Sequence, residues 1–269
     1  MANKHPSLGA IFDPASVHVI GTGPSLVVLH GGPGFSHAYL RPHLDFLASK
    51  YRLIYFDQLG AGGSVCPIED VTFAAVRDHT LAVMRNFAVE DRVTIVAHSW
   101  GGLVALACLD ADRSLEISGL LFNPLPVTRQ AFEAMRAALF SKMPADLLAE
   151  ILGEHARFLT QSQIDRLFPY YISPSSKVSP GNLSFDVAVY RTVCDTLGNF
   201  DFTPSLSSLS KCHVLVGEDD FISRQLTEDV TAAVASVNGI KDCGHFPFLE
   251  RPVEFRAWAL QSLLALSLQ

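Results

Sequence analysis

The chain has 269 residues, a formal net charge of −7, 49% hydrophobic residues and 17% charged residues. That length suits one α/β domain with an insertion, and the composition excludes a disordered tail or a nucleic-acid-binding arm. The acidic balance argues against polyanionic partners such as nucleic acid or an acidic membrane surface.

The five cysteines, Cys66, Cys108, Cys194, Cys212 and Cys243, are widely spaced and form no CxxC or Cys/His ligand pattern. Cys212-His213 reads as core, so no metal is expected and the thiols read as reduced. The segment Met1–Ser16 lacks an apolar stretch of signal-peptide length, and Trp258–Gln269 is too short to span a bilayer. The expectation is a soluble, cytoplasmic protein.

In chain order, Val17–Ile20 alternates as an edge strand does, turning at Gly21-Thr22-Gly23. Ser25–His30 is an apolar run suited to a strand buried on both faces. It enters His30-Gly31-Gly32-Pro33-Gly34, a tight loop whose backbone amides no side chain shields. Tyr39–Ser49 has a helical apolar spacing, and Arg52–Asp57 is the next strand. Gln58–Ser64 follows as a second glycine-rich loop, and Phe73, Val76, Met84 and Phe87 mark another helix. Neither loop continues into GxGxxG, because Val65 and His37 stand at the third position, and no GxxxxGK[ST] exists. No nucleotide cofactor is expected.

Val93–Ala97 reads as a buried strand and Gly101–Cys108 as a buried helix, with only His98, Ser99 and Trp100 between them. So abrupt a join holds one residue in a strained backbone and needs small neighbours, supplied by Ala97 and Gly101. This is a nucleophile elbow that lifts the Ser99 hydroxyl above the sheet. A strand at Ile117–Phe122 follows, and strand–helix alternation stops at Asn123-Pro124-Leu125-Pro126. The strands return at His213–Gly217 and Val234–Ile240, with a helix from Arg224 to Val234 between them and Pro252–Leu268 closing the chain. The expected fold is α/β: a mostly parallel sheet covered on both faces by helices. Its core is 1–123 and 203–269, with 124–202 inserted as a mainly helical cap over the carboxyl edge.

A serine nucleophile needs a base, and the base needs an orienting acid. After Gly217 come Glu218, Asp219 and Asp220; after Ile240 come Lys241–Phe246. Both loops emerge on the edge that carries Ser99. His245 follows a glycine and stands in the right order, so it is the candidate base. Asp220, three residues beyond the strand-ending glycine, has room to turn back and is the candidate acid. Glu218 and Asp219 read as solvated or capping residues, and Asn123, at the end of an earlier strand, lacks the charge. Oxyanion donors are the amides of Trp100 and Gly32. His98 is expected to point away from the site, and His30, Asp57 and Gln58 to brace the loops. Phe35, Phe168, Tyr170, Tyr171, Tyr190, Phe221 and Phe246 are candidate pocket aromatics.

The motifs HGGPG at 30–34, DQLGAGGS at 57–64, AHSWGG at 97–102, GEDD at 217–220 and CGHFPFLERP at 243–252 resemble the α/β-hydrolase superfamily. The first three are most similar to its proline iminopeptidase branch. The resemblance implies Ser99, Asp220 and His245 as a catalytic triad, with Gly32 and Trp100 as the oxyanion hole. It departs in two places: Leu59 replaces the branch's common arginine, and Phe221 stands where some members carry a glutamate. Iminopeptidases hold the substrate's amino group with glutamates, for which Glu133, Glu150 and Glu154 are candidates, although their spacing suits a solvated helix face.

The expected activity is hydrolysis of an ester or amide of a small molecule or short peptide through an acyl-enzyme, without cofactor, as the resemblance to proline iminopeptidase-type aminopeptidases implies. Activity should rise as an imidazole base loses its proton, through roughly pH 6 to 7. The alternatives are a carboxylesterase, lactonase or thioesterase on a small metabolite, and a non-hydrolytic lyase or ligand receptor on the same scaffold.

Overall fold

The computed structural model describes residues 16–87, 92–124, 126–153, 157–181, 183–221 and 228–267. Among the described residues seven strands form one sheet: β1 (Val17–Ile20), β2 (Ser25–Leu29), β3 (Arg52–Phe56), β4 (Arg92–His98), β5 (Glu116–Phe122), β6 (Lys211–Gly217) and β7 (Ser236–Ile240). Their order is β1-β3-β2-β4-β5-β6-β7. β1 runs antiparallel to β3, and every other pair is parallel.

The strand sequences explain the layering. Alternate residues of a strand face opposite ways, so a strand buried on both faces must be apolar at nearly every position. Val27 and Leu29 of β2 join Ile95 and Ala97 of β4 in one core. That core is packed by α2 (Phe73–Phe87) and α3 (Trp100–Ala111). Leu26, Val28 and Val96, the intervening residues, lie in a second core on the other face. There they meet Leu44 of α1 (Arg41–Leu44), Phe248 of α9 (Pro247–Glu250), and Phe255 and Trp258 of α10 (Pro252–Ser267).

Two expected elements differ. The helix over Tyr39–Ser49 is broken into a 3-10 turn at His37–Tyr39, α1, and a second 3-10 stretch at Asp45–Ser49. Pro42, inside the first turn of α1, supplies no amide to continue a helix begun upstream. β7 starts at Ser236, not Val234; the preceding helix α8 is Glu228–Ala233, and Arg224 lies outside the described residues.

Between β5 and β6 the described residues add no strand to the sheet. They form α4 (Arg129–Phe140), α5 (Ala145–Leu152), α6 (Gln161–Leu167) and α7 (Val187–Thr196). The two ends of this segment meet in a bridge between Thr128 and Asp201. The Phe202 amide also donates to the Val127 carbonyl at 2.9 Å. Chain that leaves and re-enters at one point can be set on a sheet edge without disturbing strand order.

The carboxyl-edge loops are held by buried polar groups. Asp57, at the end of β3, accepts from the His37 amide and Nδ1, both at 2.8 Å, and from the Gly63 amide at 2.8 Å. Burial alone would raise the Asp57 carboxyl. The His37 hydrogen bond, the field of His30 and the Gly63 amide outweigh it and hold the carboxyl well below the usual carboxylate range. His30 Nε2 accepts from the Gln58 amide at 2.9 Å, so its Nδ1–H donates to the Gly31 carbonyl at 2.7 Å. Burial pushes His30 down to about 4, which keeps it neutral in this role.

Two predictions follow from this packing. A Cβ on Gly101 would lie 2.5 Å from the Leu29 carbonyl oxygen, so α3 and β2 approach backbone to backbone. Gly101→Val should therefore cost about 1–3 kcal/mol, measured by denaturant unfolding. Asp57 has a folded pKa below its unfolded value of about 3.9, so its stabilisation is full at neutral pH and is lost progressively as pH falls below about 4 towards the depressed folded pKa. Asp57→Asn should lower stability by about 1–3 kcal/mol at pH 7 and flatten its acid dependence, read from melting curves across pH.

Candidate active site

Ser99 sits between the last residue of β4 and the first of α3 with φ 52° and ψ −118°. A non-glycine residue rarely takes positive φ, and here the surroundings fix it. Its amide donates to the Phe122 carbonyl at the end of β5, 3.0 Å away. Ser99 is thus tied to the neighbouring strand while its side chain stands at the N-terminus of α3, where unpaired amides and the helix dipole favour negative charge. The Trp100 indole Nε1–H donates to Gln58 Oε1 at 2.9 Å, and Gln58 Nε2 donates to the His30 carbonyl at 2.8 Å. One side chain therefore bonds both the elbow and the first glycine loop.

His245 Nε2 lies 2.9 Å from Ser99 Oγ, and His245 Nδ1 lies 3.1 Å from Asp220 Oδ2. Asp220 is fully buried, and Ser99 and His245 are nearly so. Sequence separations of 146 and 25 residues collapse into one hydrogen-bonded line because β4, β6 and β7 end at one sheet edge. With Nδ1–H pointing at a carboxylate, Nε2 is the free lone pair that can accept the serine proton. Asp219 is drawn elsewhere: its carboxylate accepts from Ser173 Oγ at 2.6 Å.

Ser99 and His245 open onto a cavity of about 100 Å³, bounded on one side by Gly31 and Gly32. Gly32 has φ 128°, a conformation open to glycine. The other walls come largely from the helical segment: Leu148 and Ile151 of α5, Ile164 and Leu167 of α6, and Tyr190 of α7. Of the candidate pocket aromatics, Phe35, Phe168, Tyr171, Tyr190 and Phe246 line it. Two expected aromatics do not. Tyr170 packs instead against the small apolar cluster that α5 and α6 form with Leu159 and Val187. Phe221 packs its ring 5.2 Å from Tyr171 and 5.3 Å from His245 without lining the cavity. Glu133 is engaged by Arg129 at 2.6 Å and Arg136 at 3.2 Å, and Glu150 by Arg166 at 2.8 Å. Neither reaches the cavity wall, and Glu154 lies outside the described residues.

Three residues matter more than sequence reasoning allowed. His98 does not point away: it is buried, lines the cavity, and lies 3.0 Å through Nε2 from the His245 carbonyl. Burial, and then the neighbouring His245, hold its pKa well below the imidazole range. Asn123, set aside above for lacking a charge, donates through Nδ2 to Asp220 Oδ2 at 2.7 Å. It thus fixes the carboxylate oxygen that faces His245. Glu250 is buried and accepts the amides of Gly244 at 3.0 Å, Phe246 at 3.1 Å and Ser173 at 2.8 Å. A glutamate five residues beyond the histidine, in a run of prolines and phenylalanines, was the available signal; nothing local marked it as buried.

The family model described as "Alpha/beta hydrolase family" matches residues 26–258. The proline iminopeptidase of Lactobacillus helveticus (strain DPC 4571) is 25% identical over 258 residues, covering 87% of each chain. A crystal structure of a proline iminopeptidase-related protein from Thermus thermophilus superposes with TM-score 0.66 at 26% identity, covering 93% of each chain. A thermophilic esterase from Thermogutta terrifontis gives TM-score 0.62 at 21% identity, over 91% of this chain and 93% of that one, a likeness of fold. With a seven-stranded sheet, an elbow at Ser99 and a family match across most of its length, the chain belongs to the α/β-hydrolase family.

Proposed function

We propose that this hydrolase cleaves esters or activated amides of short, uncharged acyl groups through a covalent acyl-enzyme on Ser99. The observation that carries the reading is the 2.9 Å contact of Ser99 Oγ with a histidine whose other nitrogen meets a buried carboxylate. Ser99 Oγ attacks the carbonyl carbon as His245 takes its proton. The resulting oxyanion accepts from the amides of Trp100 and Gly32, each such donor contributing about 3 kcal/mol to the transition state. His245 then protonates the leaving oxygen or nitrogen. Water, deprotonated by His245 in turn, releases the acid and restores Ser99. Asp220 keeps the imidazole in the tautomer this sequence requires.

The acyl preference follows from the walls. Leu148, Ile151, Ile164, Leu167 and Phe185 offer apolar surface, and no described lining residue is an Asp or Glu. An ammonium group buried there would lose its hydration without gaining a counter-charge. The volume of about 100 Å³ is below the ~150 Å³ that accepts a benzene ring, which favours short acyl chains. The helical segment 124–202 acts in this reading as the cap that supplies specificity. The second reading, an aminopeptidase, has support in the names of the relatives, all near one quarter identical.

Three outcomes are expected. An alkyl fluorophosphonate should label the protein once, and Ser99→Ala should abolish both labelling and turnover. Asp220→Asn should retain the fold and lower kcat by about 10⁴-fold, since the imidazole loses its orienting charge. A 4-nitrophenyl butyrate should be turned over while a proline arylamide is left intact. Cleavage of the arylamide with the butyrate untouched would reverse the choice in favour of the aminopeptidase.

A further inference from the structure

Four residues, Gly31, Tyr39, His98 and His245, form a hydrogen-bonded line across the site that the acyl-enzyme chemistry does not use. The Gly31 amide donates to Tyr39 Oη at 2.8 Å, Tyr39 Oη is 2.6 Å from His98 Nδ1, and His98 Nε2 is 3.0 Å from the His245 carbonyl. The proton positions follow from chemistry. A carbonyl only accepts, so His98 Nε2 carries a proton and Nδ1 is a bare acceptor. Tyr39 Oη accepts from the Gly31 amide, so its own proton is free to go to His98 Nδ1. Every bond runs one way, from the glycine loop towards the histidine loop.

We propose that Tyr39 and His98 are positioning residues that set the glycine loop and the His245 main chain at a fixed separation across Ser99. The inference rests on the hydrolase reading above and deepens it. Gly31 and Gly32 are adjacent, so an acceptor for the Gly31 amide fixes the peptide next to the proposed oxyanion donor. Clamping the His245 carbonyl, together with the His245 amide bonded to the Tyr171 carbonyl at 2.7 Å, holds that residue's backbone at both polar atoms. A displacement of about 1 Å in a reacting group can cost 100-fold in rate, so two loops without covalent connection need such a gauge.

The surroundings are built for a neutral ring. His98 stacks on Phe122 at 4.9 Å and 19°, and meets Phe248 edge-on at 5.4 Å. The His245 ring is 4.9 Å away. A proton on His98 would oppose the imidazolium that His245 must become. The titratable groups facing His98 are His245, Tyr39 and His30; His245 and His30 disfavour its charged form, as does burial. Space is also tight, since a Cβ on Gly31 would lie 2.9 Å from Tyr39 Oη and 3.0 Å from His98 Nδ1.

The test compares Tyr39→Phe, His98→Gln, His98→Leu and the double variant Tyr39→Phe/His98→Leu, with kcat per active site counted by fluorophosphonate labelling. Tyr39→Phe removes one oxygen and keeps the ring, so it tests the line with least risk to folding. Tyr39→Phe and His98→Leu should each lower kcat about 10- to 100-fold, with KM changed less than about twofold. His98→Gln, whose amide still donates to the His245 carbonyl, should retain more activity than His98→Leu. The double variant should be no slower than the worse single one, because both break one chain. In ¹⁵N spectra of the wild type at neutral pH, His98 should be a neutral Nε2–H imidazole. The proposal is overturned if labelled sites of Tyr39→Phe turn over at the wild-type rate while only its melting temperature falls. Multiplying rather than merging effects in the double variant, or an Nδ1–H tautomer of His98, would overturn it too. If the wild type itself neither labels nor turns over, the hydrolase reading has failed instead.

Discussion

At Ser99 the chain turns from β4 into α3 within one residue, at a positive φ that a side chain rarely accepts. That conformation is sustained only because its surroundings leave no alternative. Gly101 lets α3 close to van der Waals contact with β2, and the Ser99 amide is taken by the end of β5. Strain of this kind costs on the order of 1–3 kcal/mol, which the almost fully buried, apolar α3 offsets through its packing on the sheet. The same geometry puts the hydroxyl at a helix N-terminus in the company of His245. Remove the tight join and the Ser99 hydroxyl, the His245 imidazole and the helix dipole no longer share one point.

Around this point the molecule buries an unusual set of polar groups: His30, Asp57, Gln58, His98, Asn123, Asp220, His245 and Glu250. Each would be destabilising alone, because a buried donor or acceptor without a partner costs about 1–3 kcal/mol. They are tolerated because they meet one another or the backbone of the four loops around Ser99. Asp57 and Gln58 hold the two glycine-rich loops; Asn123 and Glu250 hold the acid and histidine loops. The loops around Ser99 are thereby given the rigidity of the sheet beneath them.

The fold was legible because its signals are local. Continuous apolar runs announced the buried strands, and alternate residues of each did prove to feed opposite cores. Ser99, Asp220 and His245 come to one edge because chain order and strand ends dictate it, and both can be read from sequence. What stayed hidden depends on partners distant in the chain. His98 meets its partner across 147 residues and Asn123 across 97. Neither residue type reveals whether its side chain is a core filler, a solvated group or a brace. The aromatics show the same limit: Tyr170 and Tyr171 are neighbours, yet the turn that brings one to the cavity surface leaves the other packed against the α5–α6 cluster without lining the cavity. One residue of rotation decides it, beyond the resolution of spacing rules in irregular helical chain.

The helical segment is more than a roof, because it bonds by backbone to both loops that flank Ser99. The Asp186 amide donates to the Gly34 carbonyl at 2.9 Å, and a Cβ on Gly34 would collide with the Asp186 carbonyl oxygen. On the other side Tyr171 accepts the His245 amide, and Ser173 donates to Glu250. Asp186 is itself fixed, capping α7 and pairing with Arg157 at 2.9 Å. Side chains that shape the cavity therefore ride on the same backbone that supports the glycine and histidine loops. Under the proposed acyl-enzyme reading, a change of acyl preference made by repacking α5 or α6 leaves those bonds alone. A change made at 171–173 or 185–187 moves Ser99's neighbours His245 and Gly32 as well. Under that reading specificity and rate separate by position along one segment, and the dividing line is drawn by main-chain hydrogen bonds.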